Sequence, residues 1–148
     1  MEKRNPIILI HGLWNSSSIF SSITSKLDDI GIEYFAPTLK HSYGMTSIID
    51  LTNTLNDLIL EKYGLEKELD ILGFSMGGII GRNWIQKFNG YKRTRRFISV
   101  GSPHKGTLIA QIVPKYPFRG ISEMKINSKF LRKLADNDFF LDDIECIN

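Results

Sequence analysis

The sequence predicts an α/β domain built on a mainly parallel sheet with helices on both faces. Short apolar runs of strand length alternate with apolar stripes at helical spacing. The first run, Ile7–Ile10, is apolar throughout, which is typical of a strand buried on both faces of a parallel sheet. Strands that alternate with helices of about ten to fifteen residues imply crossover connections and parallel pairing. The length of 148 residues, 42% of them hydrophobic, predicts one domain over residues 1–148.

The first half of the chain provides two strands and two helices. After the strand at Ile7–Ile10, apolar residues three and four positions apart mark one helical face, and Gly31 is placed to end that helix. A short strand follows at residues 33–36. The second helix begins after Ser47, a capping residue, and ends at Gly64. The two stripes consist of Ile19, Phe20, Ile23, Leu27 and Ile30, and of Ile48, Leu51, Leu55, Leu58, Ile59 and Tyr63.

The second half provides two further strands with a helix between them, followed by a less regular part. Residues 68–73 form the third strand and residues 96–101 the fourth. Residues 102–120 hold three of the five prolines and are predicted to form a long surface loop or cap-like excursion. A helix over residues 128–135 and the beginning of a strand within residues 141–147 follow. The helix after the third strand is marked by Met76, Ile79, Ile80, Trp84 and Phe88.

Composition and charge exclude several classes of function. The net charge of +3 is small, and the charges are interspersed apart from residues 92–96, which we interpret as a solvated loop, so no nucleic-acid partner is predicted. The single cysteine, Cys146, cannot form an intrachain disulfide. Since the sequence shows neither a signal-peptide pattern nor an apolar run of membrane length, it predicts a cytoplasmic protein. It shows no metal-ligand spacing and no phosphate loop, so we predict no metal and no cofactor.

Residues 71–78 join a strand to a helix through a serine, Ser75. Glycines stand two positions before and after it, at Gly73 and Gly77. In a tight strand-to-helix turn, a side chain at either position would collide with the neighbouring backbone, so the turn favours glycine at both. Such a turn presents the serine hydroxyl above the sheet, next to the positive end of a helix. Ser75 is therefore predicted to be a nucleophile, the alternative being a serine that is merely tolerated in a turn.

Acyl transfer through a serine also needs two N–H donors for the oxyanion that develops on the substrate. The residue after the nucleophile, here Met76, supplies one of them. The other usually comes from the loop after the first core strand, where His11, Gly12 and Leu13 lie. Because glycine allows the backbone to bend, the N–H of Leu13 can turn inward at this position.

Three segments resemble, in order and spacing, the three successive signatures of small bacterial lipases and esterases of the α/β-hydrolase superfamily. The segments are 6–12 (PIILIHG), 73–78 (GFSMGG) and 101–107 (GSPHKGT). The resemblance continues through residues 124–134 and so covers nearly all of the chain. It implies the α/β-hydrolase fold and hydrolysis of a carboxylic ester or lipid small molecule. It also implies that Ser75 is the nucleophile and that Leu13 and Met76 donate the oxyanion-hole hydrogen bonds.

The resemblance also implies a catalytic acid and a histidine after the serine, in that order. The one histidine after Ser75 is His104, which lies in the third signature, where the family has a loop residue. No acidic residue near the C-terminus matches the acid position of the family. We therefore expect a domain truncated at its C-terminus, with the last strands missing, or else a naturally short protein. A truncated sheet would keep an exposed edge and a partly uncovered apolar face.

Three functions follow from these patterns. The first is ester hydrolysis through an acyl-enzyme on Ser75, with His104 as a possible substitute base and His11 expected to shape the oxyanion loop. The second is an inactive hydrolase-fold remnant or binding protein that lacks the acid and the histidine. The third is peripheral contact with lipid, because Leu13, Trp14 and the apolar residues after position 101 could form an apolar mouth. Trp14 is also the candidate for a substrate pocket, with a core position as the alternative. The sequence leaves the oligomeric state open.

Overall fold

The computed structural model describes residues 4–148, which form one parallel sheet flanked by helices. The strands are β1 (Ile7–Ile10), β2 (Tyr34–Phe35), β3 (Leu69–Phe74), β4 (Thr94–Val100) and β5 (Glu145–Ile147). The helices are α1 (Ser21–Asp29), α2 (Ile48–Tyr63), α3 (Met76–Lys87), α4 (Leu108–Gln111), α5 (Arg119–Glu123) and α6 (Lys129–Asp136). The strand order is β2-β1-β3-β4-β5, and all neighbouring strands are parallel.

The two faces of the sheet carry separate apolar clusters. Ile8, Ile71 and Phe97 lie side by side in register and belong to the larger cluster, to which α2, α3 and α6 contribute. On the opposite face, Leu9 packs with Phe20, which lies in a 3₁₀ turn just before α1. Helices therefore cover both faces, and the predicted α/β class with a parallel sheet is confirmed.

On the face of the sheet that α1 covers, the side chains become more exposed toward β5. Leu9, Leu72, Ile98 and Ile147 are successive partners across the sheet. Leu9 is fully buried and Leu72 and Ile98 are half-buried, whereas Ile147 is 47% exposed. All three residues of β5 are exposed. The exposed edge and partly uncovered face that the sequence predicts are therefore present within residues 4–148.

Two predicted segments differ from the structure. Residues 102–120 are not only loop, because they contain α4 and the beginning of α5. In the cluster 92–96, which we interpreted as solvated, Arg93 is only 8% exposed. Its guanidinium lies 5.2 Å from the ring centroid of Trp84 and donates to the Gly64 carbonyl oxygen at 2.7 Å. An aromatic face and a carbonyl acceptor can bury an arginine in this way, although its charge pattern suggests a surface position.

Candidate active site

Ser75 occupies the turn between β3 and α3. Its backbone angles, φ 53° and ψ −123°, lie in a region that residues other than glycine rarely adopt. Its N–H donates to the Val100 carbonyl oxygen at 2.8 Å, and its carbonyl oxygen accepts the N–H of Gly78 at 3.1 Å. The neighbouring strand and the first turn of α3 thus hold the serine in a strained conformation, in the strand–turn–helix arrangement that the sequence predicts.

Two glycines allow α3 to begin directly against the sheet. A Cβ atom at Gly73 would lie 2.5 Å from the carbonyl carbon of Gly77. A Cβ atom at Gly77 would lie 2.7 Å from the carbonyl oxygen of His11 and closer still to that of Ile10. The obstructing atoms are backbone atoms of a central strand and of the turn itself, so they cannot rotate away as a side chain can. Glycine is therefore required at both positions for the Ser75 turn to form.

The loop after β1 passes directly beside Ser75. A Cβ atom on Gly12 would lie 3.0 Å from the Cβ atom of Ser75. The Gly12 carbonyl oxygen is held by the N–H of Asn15 at 3.3 Å and by Nδ1 of His11 at 2.9 Å. Because a trans peptide is planar, the N–H of Leu13 points away from this carbonyl group. Within residues 4–148 neither this N–H nor that of Met76 donates a hydrogen bond.

His11 fixes the orientation of this peptide. The imidazole is 1% exposed, and its Nε2 accepts the Leu39 N–H at 2.8 Å. Nδ1 therefore carries the hydrogen and donates it to the Gly12 carbonyl oxygen. Burial lowers the pKa of His11, and the nearby His41 lowers it further, while the bond to Gly12 acts in the opposite direction. A neutral His11 thus connects the loop after β1 to the segment after β2.

We expect the free energy of unfolding to decrease as the pH falls below about 6.5, the pKa of an unperturbed histidine. The folded-state pKa of His11 lies below that value, so the unfolded chain binds more protons and acid favours unfolding. Each unit of lowering corresponds to about 1.4 kcal/mol at full protonation. Urea unfolding followed by circular dichroism at pH 7.5 and 5.5 measures the loss.

The variant His11→Asn tests whether His11 causes the loss of stability at low pH. It removes the titrating group, so the free energy of unfolding should differ less between the two pH values. Burial also lowers the pKa of His104, so this residue should account for part of the difference that remains. Ser21→Asn, at an exposed position at the start of α1, is the control. A pH dependence in His11→Asn as steep as in the wild type would contradict the assignment.

His104 forms a hydrogen bond with Ser99, and none with Ser75 within residues 4–148. The Ser99 hydroxyl donates to Oδ1 of Asn148 and accepts from His104 Nε2, at 2.9 Å from the ring nitrogen. His104 Nδ1 is buried without a hydrogen-bond partner among the described residues. Burial and the positive charge of Arg82 lower the pKa of His104. The structure therefore places a neutral imidazole on Ser99, and a role as base for Ser75 would require this ring to move.

The remaining candidates lie around the Ser75 turn. Trp14 is 67% exposed, with a left-handed backbone at φ 60°, so it lies at the surface of the loop rather than in the core. Asn15 was not predicted, yet its side chain donates to the Leu13 carbonyl oxygen at 2.9 Å and so fixes the turn. The sequence does contain a signal for this bond, because asparagine side chains tend to form hydrogen bonds with the nearby backbone in turns.

Residues 4–148 show neither a metal site nor a membrane-spanning helix. No group of three or more His, Cys, Asp or Glu side chains within residues 4–148 is arranged to hold a metal ion. In the same range, every helix is too short or too polar to cross a lipid bilayer.

Solved structures of bacterial proteins share this fold. Lipase BlEst2 from Bacillus licheniformis in its mature form is 19% identical, with a TM-score of 0.69 over 93% of this chain and 61% of that chain. Phospholipase PlaB from Legionella pneumophila is 13% identical, with a TM-score of 0.74 over 97% of this chain and 36% of that chain. The lin2722 gene product from Listeria innocua is 16% identical, with a TM-score of 0.70 over 97% of this chain and 68% of that chain.

These likenesses establish the α/β-hydrolase fold that the three signatures predict, and this chain spans about a third to two thirds of the length of those structures. A comparison with curated proteins gives no significant match. The profile of the palmitoyl protein thioesterase family matches residues 6–143, which is most of the chain. The resemblance to lipases and esterases of the α/β-hydrolase fold is thus confirmed, and the chain belongs to the palmitoyl protein thioesterase family.

Proposed function

We propose that this chain carries the nucleophile and the oxyanion hole of a serine hydrolase that cleaves carboxylic esters or thioesters. The observation that carries the proposal is the strained Ser75 turn lying against Gly12, with two free N–H groups beside it. Backbone strain persists where the surrounding structure holds it in place, and it clusters at active sites. The family match supports an acyl ester or acyl thioester as the substrate class.

In the proposed reaction, Ser75 Oγ attacks the acyl carbon and the carbonyl oxygen becomes an oxyanion bound by the N–H groups of Leu13 and Met76. The carbon–oxygen or carbon–sulfur bond then breaks, and the alcohol or thiol leaves with the proton that the Ser75 hydroxyl has lost. Water hydrolyses the acyl-enzyme and releases the acid. Trp14, exposed beside Leu13, is proposed to contact the acyl chain at the rim of the site.

A second candidate, a hydrolase-fold binding protein without catalytic turnover, rests on the positions of the three histidines. His11 bonds Leu39 and Gly12, His41 bonds the Asn15 carbonyl oxygen at 3.3 Å, and His104 bonds Ser99. None of the three rings forms a hydrogen bond with the Ser75 hydroxyl in the described structure. A serine without a base reacts slowly, and only the oxyanion hole and substrate binding then accelerate the reaction.

A fluorophosphonate probe and a nitrophenyl butyrate assay distinguish the two candidates. We expect the probe to add its mass to Ser75 of the 148-residue chain, and hydrolysis to fall by about 10³-fold or to background in Ser75→Ala. Ser21→Ala, at an exposed position at the start of α1, is the control for non-specific labelling. Loss of hydrolysis in His104→Ala would identify the base. Equal labelling and equal hydrolysis in the wild type and Ser75→Ala would reject the hydrolase and leave the binding protein.

A further inference from the structure

The segment 102–135, here called the cap, differs in charge from the rest of the chain. It holds seven Lys and Arg residues and one acidic residue, Glu123, whereas the rest holds twelve basic and fifteen acidic residues. The carboxylate of Glu123 accepts the N–H of Ile48 at 2.6 Å, at the beginning of α2. Burial raises the pKa of this carboxyl group. The cap is therefore strongly basic on a chain that is otherwise mildly acidic, a division that the small net charge conceals.

The cap also exposes an apolar ridge on α4 and the residues that follow it. The ridge consists of Leu108, Ile109, Ile112 and Tyr116, which are 75%, 71%, 84% and 81% exposed. Leu108 and Ile112 are four positions apart, so they lie on the same side of this helical turn. Single exposed apolar side chains are common on protein surfaces, but four of them within residues 108–116 concentrate exposed apolar surface in one segment, which is typical of an interaction site.

A basic groove of about 800 Å³ lies beside the apolar ridge. Gln111, on α4, lines it, and so does Lys115, next to Tyr116 at the end of the ridge. None of its five cationic side chains forms an ion pair within residues 4–148. The five are Lys115, Arg119, Lys125, Lys129 and Lys133. Unpaired cations along one groove produce a positive potential that attracts anionic groups.

The cap lies at the same end of the sheet as Ser75. It follows β4, and because the strands are parallel, the carboxyl end of β4 shares an edge with those of β1 and β3. A Cβ atom on Gly44 would lie 2.5 Å from Cγ1 of Ile121, in the cap, and 3.4 Å from Cδ1 of Leu13. The cap therefore meets the loop that flanks Ser75.

We propose that the cap docks this protein on a lipid bilayer that contains anionic phospholipids. The apolar ridge enters the interfacial layer, and the cations of the basic groove bind the phosphate and carboxylate groups of the lipids. Apolar side chains next to Lys and Arg bind membranes in this way. Glu123 is the one acidic residue that lines the groove beside the five cations, so a neutral bilayer would leave most of these cations without a counter-charge, and charge complementarity favours an anionic surface. Docking turns the Ser75 end of the sheet toward the lipid, and it does not depend on the reactivity of Ser75.

The test uses the Ser75→Ala form of the 148-residue chain, so that hydrolysis cannot alter the lipids. Co-sedimentation is measured with vesicles of phosphatidylcholine alone and with vesicles that contain one third phosphatidylglycerol. We expect binding to the anionic vesicles that is at least about tenfold stronger and weakens between 50 and 500 mM salt. Ile109→Ser with Ile112→Ser should weaken this binding about tenfold, and so should Lys115→Glu with Lys125→Glu.

Matched controls lie away from the cap. Leu65→Ser alters a side chain that is 72% exposed after α2, and Lys26→Glu reverses an exposed charge on α1, so both should bind as the parent does. Circular dichroism confirms that each variant is folded. Equal binding to neutral and anionic vesicles overturns the proposal. So does the absence of binding to either vesicle, or a loss in the control variants as large as in the cap variants. Binding that needs Lys115 and Lys125 but not the apolar ridge indicates a soluble polyanion as the partner and also overturns it.

Discussion

Gly77→Ala is expected to destabilise the fold by more than about 4 kcal/mol or to prevent folding. The added methyl group would lie 2.7 Å from the carbonyl oxygen of His11 and closer still to that of Ile10. Both obstacles are backbone atoms at the end of β1, which is hydrogen-bonded to β2 and β3 and cannot shift without disturbing the sheet. Urea unfolding followed by circular dichroism measures the loss, or shows that no cooperative transition remains.

Gly81→Ala is the matched control, one turn further along α3. A Cβ atom there would lie 3.1 Å from Cγ2 of Ile71 and 3.2 Å from Cε2 of Phe97, which are side-chain atoms that can adjust. Alanine also favours a helix over glycine by about 1 kcal/mol, which offsets the crowding. We expect the free energy of unfolding of this variant to lie within about 1 kcal/mol of the wild-type value. If the two variants were equally stable, the close approach of α3 to β1 would not be the reason for glycine at position 77.

Trp84→Ala should lower the free energy of unfolding by about 3–5 kcal/mol, the usual cost of removing a buried aromatic side chain. The indole is fully buried and donates from Nε1 to Oδ1 of Asn56 at 3.2 Å. Its ring also supports the guanidinium of Arg93. The substitution therefore leaves a large cavity and removes the aromatic support of a buried cation.

The other tryptophan provides the comparison. Trp14 is 67% exposed, so Trp14→Ala should change stability by no more than about 0.5 kcal/mol. Circular dichroism is the suitable probe, because both substitutions remove a fluorophore. A Trp84→Ala variant as stable as Trp14→Ala would show that α3 does not anchor the core through this residue.

The fold was predictable because its strands and helices follow apolar periodicity closely. β1 and β3 are almost wholly apolar, and the helical stripe that begins at Ile48 ends at Gly64, whose φ is 66°. The helices within residues 102–120 were missed because α4 is a single turn whose apolar side chains face outward. In that segment the spacing of the apolar residues marks an exposed side of the helix instead of a side that faces the core.

The site was predictable in part. The glycine spacing around Ser75 predicts the turn, because only one backbone arrangement requires glycine at both Gly73 and Gly77. The contacts of His104 depend on which segments meet after folding, and sequence spacing does not contain that information. The hydrogen bonds of Ser99 are an example. Ser99 lies five positions before His104, but its other partner, Asn148, comes directly after the last strand. The bond from Asn15 to Leu13 is local, and the preference of asparagine for turns predicts it.

The strand order has a consequence for biosynthesis. β1 pairs with β3 through Ile7 and Asp70, so sixty-odd residues must leave the ribosome before the first strand finds its central partner. At about 5–20 residues per second, this delay lasts roughly 3–13 s. During that time only the short pairing with β2 is available to β1. The nascent chain therefore exposes its most apolar strand for seconds, and a chaperone that binds extended apolar segments would find its target at residues 7–10 rather than at the nucleophile.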